Sequence, residues 1–340
     1  MKILIIRLSS IGDIVLTEPV IRHLRKVYPG CRIDYLTKQP FVPLVKLFEG
    51  VDTVIPFIDK TQAVRAVKEH LSSVSGKEKS EYDLLIDLHA KPKTFLLKIF
   101  LPAQRKVSYN KQHLRRFLIT AKISKSSIDS TVFLYFSIFS HLNIDIERSD
   151  YQPQLKIKLQ DSSLNKLWQQ EKELKTAKTI ALFPGANHKT KRYPVGMLAA
   201  FINSIPENEN YRFVLLGSEE EKAIAERLRN LCRIKPLNWC GRFNLGQLAE
   251  IVSYFDVIIT NDSGPMHIAA ALKKKQIAIF GATHPRLGFA PLNENALILQ
   301  TDLPCRPCSL HGGENCPKKH FRCLKEISPE KLKEALLSFS

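Results

Sequence analysis

The stretch VIITNDSGPMHIAAAL, Val257 to Leu272, decides the fold. Its apolar VIIT run reads as a buried strand, Asn261 and Asp262 end it, and Ser263 and Gly264 open a helix that carries His267 on its first turn. A strand that delivers a carboxylate to the mouth of a helix is a joint of a doubly wound α/β domain, in which ligands bind beyond the carboxyl ends of the strands. The unpaired N–H groups and the dipole at such a mouth favour a phosphate group. Asp262 serves equally well as a helix cap and His267 as a core side chain, so cap, core and ligand stay open on local grounds. The Ser-Gly step favours the ligand, because it lets the backbone approach one closely.

The same alternation extends outward from this joint. TIALFPG, VGMLAAFINSI, YRFVLLG, EEEKAIAERLRN, PLNWCG and LGQLAEIVSYF precede it, and QIAIFG follows. The first half repeats the pattern with KILIIRL, a helix from about Ile14 to Tyr28, RIDYL, a short helix near Val42, TVIPFI, a helix near Ala63 to Val74, and YDLLIDL. Apolar runs of five or six residues between helical stretches are what a parallel sheet covered on both faces produces. A polar connector between Tyr151 and Lys178 separates the halves. The expected organisation is therefore one doubly wound domain over 1–155, a second over 175–325, and a closing helix over 326–340.

With 340 residues, 44% hydrophobic and 25% charged, the chain has material for two ordinary globular domains. MKILIIRLSS is too short an apolar run for a signal peptide, and no stretch approaches the roughly 20 apolar residues that span a bilayer, so the expected location is cytoplasmic. The net charge of +18 and a pI near 9.6 imply a polyanionic partner or surface. Much of the excess lies between Leu88 and Ile128, where there are ten lysines and arginines and no acidic residue. Lys91, Lys93, Lys98, Arg105, Lys106, Lys111, Arg115 and Arg116 are threaded there with apolar residues in KTFLLKIFLPAQRK and HLRRFLITAK. A solvated basic face accounts for this, and so does a basic amphipathic surface lying on a membrane interface. GxGxxG, GxxxxGK[ST], HExxH and GxSxG are all missing, which removes the usual support for dinucleotide, P-loop, metalloprotease and serine-hydrolase readings.

Two other strand-end loops carry chemistry. RLSSIGDIVLTEP sets Asp13 at the start of a helix, as an N-cap or as a general base for a hydroxyl. FPGANHKTKRYP clusters Lys189, Lys191 and Arg192 after a turn at Pro184 and Gly185, as an ordinary surface loop or as the charge that meets a departing pyrophosphate. After YRFVLLG, Glu219 opens a helix, where it caps or accepts hydrogen bonds from a sugar or ribose.

MKILIIRLSSIGDIVLTEPVIRHLRKVYP, YDLLIDLHAKPKT, FPGANHKTKRYP and TNDSGPMHIAAAL, in this order, resemble glycosyltransferase family 9, the ADP-heptose:lipopolysaccharide heptosyltransferases. The resemblance runs over the whole length and implies the α/β GT-B architecture, two Rossmann-like doubly wound domains facing across a cleft. It implies that the C-terminal domain binds ADP-heptose and that the N-terminal domain receives the lipopolysaccharide inner core, Kdo-lipid A or its heptosylated product. By the same resemblance Asp13 is the catalytic base, Lys191 steadies the diphosphate leaving group, Glu219 binds the nucleotide-sugar, and Asp262, Ser263, Gly264 and His267 hold the donor's phosphates and heptose. Ala186 and Asn187 stand in the donor loop where some members carry hydroxyl side chains. Inversion in one displacement requires a base and a stabilised leaving group; it requires no cofactor and admits Mg²⁺ on the diphosphate. The basic run then docks an anionic acceptor at the cytoplasmic face of the inner membrane, with the protein a peripheral monomer that binds no nucleic acid. Competing readings are a family 9 transferase with another nucleotide-sugar or acceptor, a nucleotide-sugar epimerase of the same architecture, and a basic nucleic-acid-binding protein.

Of seven cysteines, Cys31, Cys232 and Cys240 are isolated and read as small buried hydrophobes. Cys305, Cys308, Cys316 and Cys323 fall together in CRPCSLHGGENCPKKHFRC. Structural zinc, an iron–sulfur cluster and plain or redox-active thiols all fit, since only one CxxC pair is present. The expected task of this segment is to pin the loop after the last strand of the second domain.

Overall fold

In the computed structural model, which describes residues 1–75, 81–147, 151–157, 162–171, 174 and 176–339, the alternating pattern resolves into two parallel sheets. The first contains β1 (Lys2–Ile6), β2 (Arg32–Lys38), β3 (Thr53–Phe57), β4 (Tyr82–Asp87) and β5 (Ala103–Ser108) in the order β3-β2-β1-β4-β5. The second contains β6 (Lys178–Phe183), β7 (Tyr211–Leu215), β8 (Leu237–Asn238), β9 (Val257–Asn261), β10 (Lys275–Phe280) and β11 (Ala296–Gln300) in the order β11-β10-β9-β6-β7-β8. Both are doubly wound Rossmann-like sheets. Strand order reverses between β1 and β4 in one and between β6 and β9 in the other, and such switch points are where these sheets bind ligands.

The inner strands are the apolar runs of the sequence because helices cover both of their faces; Ile3, Leu4, Ile5 and Ile6 of β1 are fully buried. The edge strand β5 escapes that pattern. β5 reads AQRKVS, with Gln104, Arg105 and Lys106 exposed, since an edge strand has less of its surface to bury. The helix expected over Ile14–Tyr28 is two helices, Ile11–Val15 and Glu18–Val27. Thr17 starts the second with Pro19 in its first turn, a position that tolerates the missing N–H. Thr131–Ser140 forms a further helix, TVFLYFSIFS, whose near-uniform apolar character gave no period to read. Among the described residues no helix is long and apolar enough to cross a membrane.

The chain divides into two compact units, Met1–Gln112 with Ser130–Lys156, and His113–Asp129 with Ile157–Ser340. A single boundary at residue 155 would leave His113–Asp129 in the first. Those residues pack instead with the second unit: Ile128 N donates to Arg286 O at 2.8 Å, and the Arg116 guanidinium sits 5.0 Å from the centre of the Phe289 ring. Leu332, Ala335 and Leu336 of the last helix, Pro329–Leu337, are buried in the core of the second unit. The connector contributes Trp168, which packs edge-on against Phe255 at 5.0 Å. Residues 158–161, 172, 173 and 175 of that connector lie outside the described residues.

Candidate functional site

In the first unit the switch point gathers charge around Asp13. Helix Ile11–Val15 begins after Ser10, so Asp13 is its third residue and not its cap; its Oδ2 accepts from Ser10 Oγ at 2.8 Å and from Ser10 N at 3.3 Å. Arg7, the first residue beyond β1, is 5% exposed and pairs with Asp13 through Nη2 at 2.7 Å. Its Nε donates to Ser9 O at 2.7 Å and its Nη1 to Leu88 O beyond β4, so one guanidinium ties both strand ends to the carboxylate. Burial opposes the Arg7 charge, yet Asp13 and the surrounding groups more than offset this and hold its pKa above the ordinary value. Tyr135, on helix Thr131–Ser140, brings its hydroxyl to 3.4 Å from Asp13 Oδ1 and its ring to 5.6 Å from the Arg7 guanidinium. Neither Arg7 nor Tyr135 stood out in the sequence. Arg7 had a usable signal, a cation immediately after a strand of a parallel sheet; Tyr135 had none.

The β4 end adds Asp87, which is fully buried and accepts the N–H groups of His89 at 2.9 Å and Ala90 at 2.8 Å on Oδ1. Its Oδ2 has Lys98 Nζ at 3.8 Å, and Lys98 also donates to Ser108 Oγ at 2.5 Å. A hollow of about 430 Å³ opens here, lined by Asp87, Lys91, Phe95, Lys98 and Ser108. Lys98 and Lys91 therefore belong to this strand-end site. So does Lys111, whose pKa burial and the charges of Arg7 and Lys91 push down to about 8. Of the other cations in the basic run, Lys93 lies 4.6 Å over the Phe57 ring, Arg105 donates to His141 O, Lys106 to Lys98 O at 2.6 Å and Arg115 to Ser127 O at 2.7 Å. Arg116 is 7% exposed and is a packing residue of the second unit.

Burial, then Arg7, Lys91 and Lys111, push His89 down to about 3. The folded protein thus keeps this ring neutral where the unfolded chain, near its ordinary 6.5, takes up a proton. Stability present above pH 6.5 is lost as pH falls from there toward 3. His89→Gln is expected to flatten the fall of melting temperature between about pH 7 and pH 4.5. Identical slopes for variant and wild type would refute this.

In the second unit the switch point between β6 and β9 holds a buried ion pair. Lys191 Nζ lies 2.8 Å from Asp262 Oδ2, with side-chain exposures of 14% and 4%, and Thr283 Oγ1 donates to the same oxygen at 2.6 Å. Asn261, the last residue of β9, clamps the Pro184–Arg192 loop: its amide donates to Gly185 O at 2.9 Å and its Oδ1 accepts from Tyr193 N at 2.9 Å. Arg192 Nε donates to Ala186 O at 2.7 Å and Arg192 Nη2 reaches Asn187 O at 3.5 Å, so Ala186 and Asn187 offer carbonyls to the protein. Ser263 precedes helix Gly264–Ala271 without a side-chain cap, its hydroxyl donating to Asn261 O at 3.2 Å. His267 is 5% exposed on that helix.

Glu219 is two-thirds exposed and pairs with Lys222 at 3.2 Å. Glu221, unremarked in the sequence, reaches further into the strand-end loops. Its carboxylate accepts from Ser218 N at 2.9 Å, and a Cβ built on Gly185 would come 1.8 Å from its Oε1. Only glycine fits at 185 with Glu221 there. Cys240 is kept a protonated thiol, pushed up to about 12 by burial and by Glu221, Glu226 and Glu219. A hollow of about 420 Å³, lined by Ile202, Tyr211, Ile234 and Leu237, lies where β7 and β8 begin, away from these loops.

The four clustered cysteines are all thiols, and Cys308 Sγ donates to Cys305 O at 3.1 Å. They form the donor set of a structural zinc by type, but among the described residues no three Cys, His, Asp or Glu side chains converge as ligands.

The family description Glycosyltransferase family 9 (heptosyltransferase) matches residues 76–319. The chain is 32% identical to lipooligosaccharide heptosyltransferase 2 of Campylobacter jejuni over 59% of this chain and 60% of that protein, and so spans about three fifths of that relative. It is 26% identical to lipooligosaccharide heptosyltransferase 2 of Haemophilus influenzae over 99% of this chain and 98% of that protein. Its fold is that of the Escherichia coli ADP-heptose lps heptosyltransferase II, with a TM-score of 0.77 at 22% identity over 100% of this chain and 98% of that one. Because the matched residues take in the β4 loop, the Lys191 loop and the Asp262 motif together, the chain belongs to glycosyltransferase family 9, the heptosyltransferase family.

Proposed function

We propose that the protein is an inverting transferase that moves heptose from ADP-heptose to the inner core of a lipopolysaccharide acceptor. The observation that carries this reading is the buried Lys191–Asp262 pair at the mouth of helix Gly264–Ala271. A fixed ammonium beside a helix N-terminus is suited to the charge of a departing diphosphate. Asp13 supplies the other half of the reaction. Its carboxylate, held by Arg7 and Ser10, takes the proton of the acceptor hydroxyl as that oxygen attacks the anomeric carbon. The bond from that carbon to the diphosphate breaks, and ADP leaves with the electron pair. Lys91, Lys98 and Lys111 suit an acceptor that carries carboxylates or phosphates.

The test is incubation with ADP-heptose and either Kdo-lipid A or its heptosylated product, read by mass spectrometry of the lipid. One added heptose is expected. Retained ADP binding with no transfer to either acceptor would shift the reading to another sugar or acceptor.

Work at the cytoplasmic face of the inner membrane, by peripheral contact, is part of the same proposal. Helix Pro92–Phe100 supports it, because Phe95, Leu96, Ile99 and Phe100 are 62%, 51%, 61% and 50% exposed among Lys91, Lys93 and Lys106. Phe95→Asp with Ile99→Asp is expected to weaken binding to anionic vesicles about tenfold or more, from the apolar burial lost. Undiminished binding would remove the membrane contact from the proposal.

A further inference from the structure

The cysteine-bearing segment lies directly on the loop that carries Lys191. Thr190 is 2% exposed, and both of its polar groups on that side meet Gly313: Thr190 N donates to Gly313 O at 3.0 Å, and Gly313 N donates to Thr190 Oγ1 at 2.8 Å. One residue back, Gly312 has φ +93, and a Cβ there would lie 3.0 Å from His188 Cβ and 3.2 Å from Lys191 Cε and Cγ. The Lys191 stem therefore runs against the bare backbone of Gly312. At the edge of the turn, Glu314 pairs with Lys189 at 3.3 Å, an exposed contact of small energetic weight.

The same segment reaches Lys191 by a second route. Arg306 is 5% exposed; its Nε donates to Gly281 O at 2.6 Å and its Nη2 to Thr283 O at 2.7 Å. Thr283 in turn donates to Asp262 Oδ2, the oxygen that holds Lys191. Cys308 N also donates to Ala282 O at 2.8 Å, which binds the segment to the end of β10. The lysine stem is thus braced from one side by Gly312 and its ammonium is fixed from the other through Asp262.

We infer that the Cys305–Cys323 segment is the positioning element of Lys191, with Gly312 and the Thr190–Gly313 clamp as its working contacts. The segment was expected to pin only the loop after the last strand. Its contacts give it a part in donor handling, because a long, flexible side chain holds a diphosphate productively only when its stem is immobilised. The inference rests on the reading of Lys191 as the diphosphate-binding cation.

Calorimetric affinities for ADP and AMP test it, since the two nucleotides differ by the phosphate that Lys191 meets. In Gly312→Ala, and independently in the near-isosteric Thr190→Val, the preference for ADP over AMP is expected to shrink about tenfold, the scale of a hydrogen bond to a charged group, with AMP affinity unchanged. Gly313→Ala is the control, for a Cβ there meets only Asn315 O at 4.0 Å. In a Lys191→Met background the Gly312→Ala change is expected to have no further effect on the ADP preference. A purely structural role would lower ADP and AMP affinity together and would add to Lys191→Met; either outcome overturns the inference. A wild-type protein with no preference for ADP over AMP would instead overturn the reading of Lys191 itself.

Discussion

Asp13→Asn is expected to lower kcat for heptose transfer about 10²–10⁴-fold, the range that a positioned general base contributes, with little change in ADP affinity. Asparagine keeps the shape and one acceptor oxygen for Ser10, so the helix start survives. It cannot take a proton from the acceptor hydroxyl. It also leaves Arg7, 5% exposed, without its counter-charge, and since Asp13 is a quarter exposed the cost to stability is about 1–3 kcal/mol, below that of a fully buried pair. Rates must therefore be compared at a temperature where both proteins are folded, with ADP binding as the check of an intact second unit. A variant that turns over at the wild-type rate would remove Asp13 from the chemistry. A second diagnostic is Arg7→Met: if Arg7 holds Asp13 in place, kcat falls while donor KM stays.

Lys191→Met should reduce kcat by about 10²–10³-fold, the usual loss when one preorganised group facing developing charge is removed. Donor KM should rise as well, because the ammonium also meets the diphosphate in the ground state. The substitution strands the Asp262 carboxylate, 4% exposed, with the Thr283 hydroxyl in place of a cation, and breaking such a pair costs about 3–5 kcal/mol. Adding Asp262→Asn removes that stranded charge. The double variant is then expected to regain most of the lost stability and none of the lost activity, which separates the role of Lys191 in the fold from its role in the reaction. Recovery of activity in the double variant, or wild-type kcat in Lys191→Met, would show that the lysine serves the fold alone. Lys191→Arg is not a conservative substitute, because a planar guanidinium presents its donors in a fixed fork where lysine offers a compact ammonium.

The chain's inner strands were legible because a parallel strand buried on both faces must be apolar throughout, as in KILII, TIALF and VIIT. The turn chemistry beyond β9 was legible too, for Ser263-Gly264 is where the structure starts the His267 helix; the first helix instead starts after Ser10, three residues ahead of the Asp13 cap read from the sequence. Of the edge strands, β3 was read as TVIPFI, but β5 and β11 were not. AQRKVS and ALILQ meet one neighbour each, so packing asks less of their sequence than of β1 or β9.

Within the candidate site, the sequence by itself determined which groups exist at each strand end: the carboxylates Asp13 and Asp262, the lysine-rich loop and the glycines that admit close approach. Each follows from local rules of caps, turns and periodicity, which act over a few residues. Which of them meet was decided only by tertiary structure. Lys98 and Arg116 look alike in a run of ten cations, yet one turns to Asp87 and the other stacks on Phe289, 173 residues away in the chain. Tyr135 reaches Asp13 across 122 residues, and Gly313 reaches Thr190 across 123. A side chain's partner depends on the three-dimensional return of distant segments, and a charge buried by that return must find a counter-charge that no local pattern announces.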